Sequence, residues 1–230
     1  MAKALARIYR GLVFLLKKTG LKKILVDLFH VLYYTSTDTT WANTYWLGTK
    51  VYKNPCDLWI YQEVIFEIKP DIIIECGTQE GGSAFYFASL CDLVGNGQVI
   101  TIDIRDHENR PTHERITYLL GSSTDREIVE QVRELSKNAS KILVVLDSDH
   151  SMKHVSAELT IYSELVTVGS YIVVEDSDIN GHPVDPRFGP GPMEAINQFL
   201  NAHKNFTVDS SKEKHFLTFN PRGFLKKISP

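Results

Sequence analysis

The sequence predicts an α/β fold: a mostly parallel, Rossmann-like sheet of seven strands flanked by helices, preceded by an N-terminal helical arm. Three observations carry this expectation. From residue 71 onward, short apolar runs alternate with stretches of helical length and period. The first run, "DIIIE" (71–75), exits into a glycine-rich segment, as a buried parallel strand feeding a helix does. Two later runs, "VLDSDH" (145–150) and "VVEDSD" (173–178), end in clustered carboxylates. Ligands of such sheets bind at the carboxyl ends of the strands.

The elements follow in order. After "DIIIE", the run "GSAFYFASLCDLV" (82–94) reads as a helix that "GNG" stops. "QVITIDI" (98–104) is the second strand and "RITYLLG" (115–121) the third. Ser123 or Thr124 is placed to cap a charged helix running to about Lys137. "KILVVLD" (141–147) is the fourth strand, followed by a helix to about Val166; "SYIVVED" (170–176) is the fifth. A Gly/Pro loop over 179–192 leads to Pro192, which suits the first turn of a helix. "FTVD" and "HFLTF" read as two short edge strands. The expected division is an arm over 1–65 and an α/β domain over 66–230.

Bulk properties exclude several classes. The 230 residues carry a net charge of −3, which gives nucleic acid no footprint. Cys56, Cys76 and Cys91 are odd in number and lack C-x-x-C spacing, so neither a disulfide framework nor a zinc site is expected, and a reducing, cytoplasmic setting is. Residues 1–30 hold Lys3, Arg7, Arg10, Lys17, Lys18, Lys22 and Lys23 against one acid, Asp27, with apolar residues at roughly helical spacing between them. The longest apolar run there, "LVFLL", is far shorter than the ~20 residues that span a bilayer. The arm therefore either packs on its own domain or another subunit, giving a homo-oligomer, or lies peripherally on an anionic membrane surface.

The loop "ECGTQEGGS" (75–83) lacks the G-x-G-x-x-G spacing of a pyrophosphate site, and its acid disfavours a diphosphate. Gly77, Gly81 and Gly82 permit close backbone approach. Asp103, at the end of the second strand, is either a plain strand-end acid or the acceptor for two ribose hydroxyls. A ligand with a ribose and a positive charge but no phosphate is S-adenosylmethionine.

Strands four and five are expected to be neighbours, so Asp147, Glu175 and Asp176 converge. Three bare carboxylates repel one another and raise each other's pKa. A hard divalent cation resolves that conflict: Mg²⁺, with Mn²⁺ or Ca²⁺ as alternatives. His150, three residues beyond Asp147, is the candidate general base. Asp149 is expected to cap a helix and Asp178 to be a loop acid.

These residues resemble a known group. "ECGTQEGGS" has the E-x-G-x-x-x-G-x-S spacing of the metal-dependent small-molecule O-methyltransferases. The sequence is more similar still to the cephalosporin hydroxylase / rhamnosyl O-methyltransferase family, with the macrolide-sugar O-methyltransferases. Five ordered blocks carry that likeness across roughly residues 40–227: "TYWLG", "NPCDLWIYQEVIFEIKPDIIIECGT", "LDSDHS", "GPGPMEAINQFL" and "FLTFNPRGFLKK". The resemblance implies a class I methyltransferase fold using S-adenosylmethionine and Mg²⁺. It implies Glu75, Gly77, Thr78, Gly81, Ser83, Asp103 and Asp147 at the cofactor, Asp147, Glu175 and Asp176 at the metal, and His150 as base. In the caffeoyl-CoA group a lysine fills the place of His150; in the sugar enzymes it is histidine. The expected acceptor is a hydroxyl of a sugar or secondary metabolite, with the loop 179–192 as its lid. Hydroxylation on the same fold, a non-catalytic binding protein and an NAD-dependent oxidoreductase are the competing readings.

Overall fold

The computed structural model describes residues 2–18 and 20–230; the side chains of residues 2–4, 8, 12, 17 and 18 lie outside that description, among them Lys3, Ile8, Leu12, Lys17 and Lys18 of the basic arm. The arm is two helices, α1 (Ala2–Lys18) and α2 (Leu21–Thr35). A small hairpin follows, β1 (Tyr45–Trp46) and β2 (Thr49–Lys50). Its two-residue turn, Leu47-Gly48, has positive φ at both positions, the geometry that matches strand twist. Helix α3 (Pro55–Ile68) starts at Asn54, whose side chain accepts from the Cys56 amide, with Pro55 in the first turn.

The α/β alternation then runs β3 (Ile72–Cys76), α4 (Gly82–Val94), β4 (Gln98–Asp103), β5 (Ile116–Leu120), α5 (Arg126–Ser136), β6 (Ile142–Leu146), α6 (Met152–Tyr162), β7 (Tyr171–Val174), α7 (Pro192–Ala202), β8 (Phe206–Val208) and β9 (Phe224–Lys227). The seven-stranded sheet has the order β5-β4-β3-β6-β7-β9-β8, parallel except for β9, which is antiparallel to both neighbours. The fold class is as expected.

Strand periodicity sorts the core into two layers. Ile72, Ile74, Ile142, Val144 and Leu146 face α5, α6 and α7. Ile73, Leu143 and Val145 face α3 and α4. Leu58, Ile60, Tyr61, Val64 and Ile65 of α3 belong to this second layer, so the expected division between residues 65 and 66 falls inside a helix that packs on the sheet.

Three local expectations are corrected. The last strand is "FLKK", not "HFLTF": Phe216 has a left-handed φ of 67°, and the Phe219 amide is spent on the Asp57 carboxylate at 2.8 Å. Helix α5 begins after Asp125, not after Ser123 or Thr124. Helix α6 is capped by Ser151, whose hydroxyl accepts from His154, while Asp149 folds back on the Ser151 amide at 2.7 Å.

Helix α2 docks by one face. His30, only 4% exposed, stacks on Phe219, and Tyr33 and Tyr34 meet the same ring. On its other side Leu21, Ile24, Leu25, Leu28 and Leu32 are exposed. Among the described residues no helix is long and apolar enough to cross a membrane. All three cysteines are free thiols.

Candidate active site

The sheet order makes β3 neighbour to both β4 and β6, with β7 beyond, so the acidic ends of four adjacent parallel strands share one edge. A cleft of about 840 Å³ opens there. Its walls include Gly77, Thr78, Ser83, Asp103, Ser123, Asp147, His150 and Asp176.

The β3–α4 loop is shaped by its glycines. A Cβ on Gly77 would sit 1.8 Å from the Asp147 carbonyl oxygen, so the β3 and β6 exits touch backbone to backbone. A Cβ on Gly82 would meet the Lys50 carbonyl at 1.9 Å. Asp103 then pins the loop: its Oδ2 accepts the amides of Thr78 (3.1 Å) and Gln79 (2.7 Å), and its Oδ1 accepts the Arg105 amide. The pair Gln79-Glu80 also has a place. Gln79 is left-handed, with its carbonyl on Arg110, and Glu80 takes the Tyr52 hydroxyl at 2.6 Å. Gly81 and Glu75 do not line the cleft. Gly81 packs by Pro111 and Tyr118, and Glu75 is wholly buried beneath the loop.

Glu75 Oε2 accepts from Thr101 at 2.6 Å, while Oε1 meets no hydrogen-bond partner among the described residues. Burial pushes its carboxyl up to about 7 against the pull of Lys53. A carboxyl raised on folding binds its proton more tightly in the native chain than in the unfolded one. Stability therefore falls as pH rises from the unfolded value toward 7. Between pH 5 and 7 this one group is expected to cost about 2 kcal/mol. Denaturant titrations at both pH values check this: Glu75→Gln is expected to lose markedly less stability over that interval than the unsubstituted chain, and an identical loss refutes it.

At the other wall, one ligand-type atom from each of Asp147, His150 and Asp176 lies within 4.8 Å of the others. His150 Nε2 is 3.3 Å from Asp176 Oδ2 and 4.0 Å from Asp147 Oδ1. Glu175, expected in that group, is placed differently. It is 5% exposed, and its Oε1 accepts from Lys53 Nζ (2.7 Å) and the Tyr61 hydroxyl (2.6 Å). Lys53 Nζ also donates to Asp147 Oδ2 at 2.6 Å. Burial raises the pKa of all three acids. Asp147 is raised further by Asp176, Glu175 by Asp147, and Asp176 by Glu175. Burial opposes charge on His150, but the three carboxylates outweigh it and its pKa is raised.

Asp178 is not a loop acid. It is fully buried, and its Oδ2 meets His30 Nε2 at 2.7 Å, tying α2 to the segment that carries Asp176. Burial holds the His30 pKa down to about 4 and raises that of Asp178 well above the usual carboxylate range. The loop 179–192, expected as a lid, contributes nothing to the cleft wall; Thr37, Trp41 and Ala42, just past α2, do. Lys53, Tyr61 and a buried Glu158, which accepts from Ser123 and Ser148, escaped the sequence reading.

A family model described as Rhamnosyl O-methyltransferase/CmcI matches residues 38–228. A rhamnosyl O-methyltransferase of Mycobacterium tuberculosis (strain ATCC 25618 / H37Rv) is 41% identical over 204 residues, 86% of this chain and 82% of that protein. One of Mycobacterium leprae (strain TN) is 41% identical over 203 residues, 86% of this chain and 88% of that protein. Among solved structures, a CmcI apo structure aligns with TM-score 0.65 at 23% identity, covering 82% of this chain and 78% of that one. A CmcI structure with Mg and SAM aligns at 0.64 and 22%, with the same coverage. These structural likenesses show the fold. Sequence and fold together define an S-adenosylmethionine-dependent O-methyltransferase. Within that class, the chain belongs to the rhamnosyl O-methyltransferase/CmcI family.

Proposed function

We propose that this chain methylates a hydroxyl of a sugar, of the rhamnosyl type, with a hard divalent cation, Mg²⁺ foremost, held at the acidic strand ends. The observation that carries the reading is the convergence of Asp147, Asp176 and His150 on the cleft whose opposite wall is the Gly77–Asp103 loop. The residues suit both groups. A carboxylate oxygen of Asp147 and one of Asp176 lie within 4.8 Å of each other at the cleft, Glu175 stands behind them on Lys53 and Tyr61, and carboxylate oxygens favour a hard ion. On the cofactor side, the cleft wall presents the polar side chains of Thr78, Ser83 and Asp103 along the glycine-shaped loop, a lining that suits a nucleoside.

S-adenosylmethionine supplies an electrophilic methyl group, and the cation supplies Lewis acidity that lowers a hydroxyl pKa. The chain supplies the rest. Asp147, Glu175 and Asp176 would hold the ion, with the acceptor's hydroxyl oriented beside them. His150 Nε2, which faces the cleft 3.3 Å from Asp176 Oδ2, takes the hydroxyl proton. The neighbouring carboxylates raise the His150 pKa, and a cation held among them would oppose that rise. Gly77, Thr78, Ser83 and Asp103 seat the nucleoside, with Gly81 shaping the turn. Thr37, Trp41 and Ala42 form the acceptor side of the cleft.

Methyl-labelled S-adenosylmethionine and a panel of rhamnosides, assayed with Mg²⁺ or with a chelator, test this. Label is expected on a rhamnoside only with the cation. Transfer indifferent to the chelator removes the metal from the account. Calorimetric binding of NAD in place of S-adenosylmethionine overturns the cofactor.

A further inference from the structure

Lys53 sits in an improbable place for a lysine. It is 3% exposed, on the short segment between β2 and α3, well outside the sheet it serves. Its neighbour Asn54 caps α3 and Pro55 opens that helix, so the backbone that carries Lys53 is fixed. A buried ammonium is costly unless it is paired and hydrogen-bonded. Lys53 is paired twice, with Asp147 Oδ2 at 2.6 Å and Glu175 Oε1 at 2.7 Å. The Tyr61 hydroxyl locks the same Glu175 oxygen from α3. One oxygen of each carboxylate is thereby fixed, and with it the orientation of the group.

The charges have a consequence. Asp147, Glu175 and Asp176 bring three negative charges, and Lys53 returns one positive. Counted over these four side chains, the remainder matches one divalent cation. We infer that Lys53 is a positioning residue that orients Asp147 and Glu175 and sets the charge of the site, so that divalent rather than trivalent ions fit it. The inference rests on the cation site proposed above and adds the origin of its charge selectivity.

The test uses the full chain and two ions, Mn²⁺ followed by electron paramagnetic resonance and Tb³⁺ by its luminescence, in competition. Removing one unit of positive charge strengthens the hold on a trivalent ion more than on a divalent one. Lys53→Met is expected to raise the Tb³⁺-to-Mn²⁺ affinity ratio by at least about tenfold. An unchanged ratio, in a chain whose parent binds Mn²⁺, overturns the role of Lys53 alone. A parent chain that binds neither ion overturns the cation site, and this inference with it. An uncompensated buried Glu175 beside the half-buried Asp147 endangers the fold of Lys53→Met, so a second pair is read in parallel. Glu175→Gln is expected to lower the ratio, and Lys53→Met combined with Glu175→Gln, which removes one charge of each sign, to bring it back to the parental value. Equal ratios in Glu175→Gln and the double variant contradict the inference without requiring the single lysine variant to fold.

Discussion

Asp147→Asn is expected to lower methyl transfer by about 10³-fold while leaving S-adenosylhomocysteine affinity nearly unchanged. The structure explains why the two separate. Asp147 serves the cofactor loop through its backbone: its amide donates to the Cys76 carbonyl at 2.8 Å, and its carbonyl lies where any side chain at Gly77 would collide. The side chain serves the other half of the site, with Oδ2 on Lys53 and Oδ1 toward His150. Asparagine keeps the backbone and the volume and removes the charge. Calorimetry with the cofactor product, alongside labelled transfer, decides the matter. Equal loss of both refutes this division of labour.

His150→Ala is expected to cut turnover by about 10²–10⁴-fold with little change in Mn²⁺ affinity. The geometry makes this a sharp test, because His150 Nε2 lies close enough to Asp147 and Asp176 to serve as a ligand instead. A base lost from the site removes proton transfer and spares the ion. A ligand lost from it weakens ion and turnover together. Mn²⁺ affinity falling in step with the rate reassigns His150 to the metal; full activity removes it from the chemistry.

The parts of this molecule that the sequence disclosed are those whose signals are local. The apolar runs at 72–76, 142–146 and 171–174 read as strands because parallel strands buried on both faces leave no alternation to obscure them. The acids at 147 and 176 and the histidine at 150 stood out because they follow such runs. What stayed hidden depends on partners far along the chain. Lys53 reaches Asp147 across 94 positions and Glu175 across 122, and His30 reaches Asp178 across 148. No pattern within a helix or strand announces such pairs. Glu175 was legible as a strand-end acid but not as one already half engaged, since its second partner, Tyr61, looks like an ordinary core residue of α3. The misread last strand has a similar cause. "HFLTF" has strand composition, yet its Phe219 amide belongs to Asp57 and its ring is the floor on which α2 lies.

The proposed metal site joins two acidic strand ends, 145–150 and 173–178. Crystals soaked with Mn²⁺ and S-adenosylhomocysteine, measured for anomalous scattering, test it most directly. The account predicts a single strong anomalous peak contacted by Asp147, Glu175 and Asp176, with His150 facing it from outside the coordination shell. No peak between β6 and β7, or a peak bound elsewhere on the chain, would contradict it.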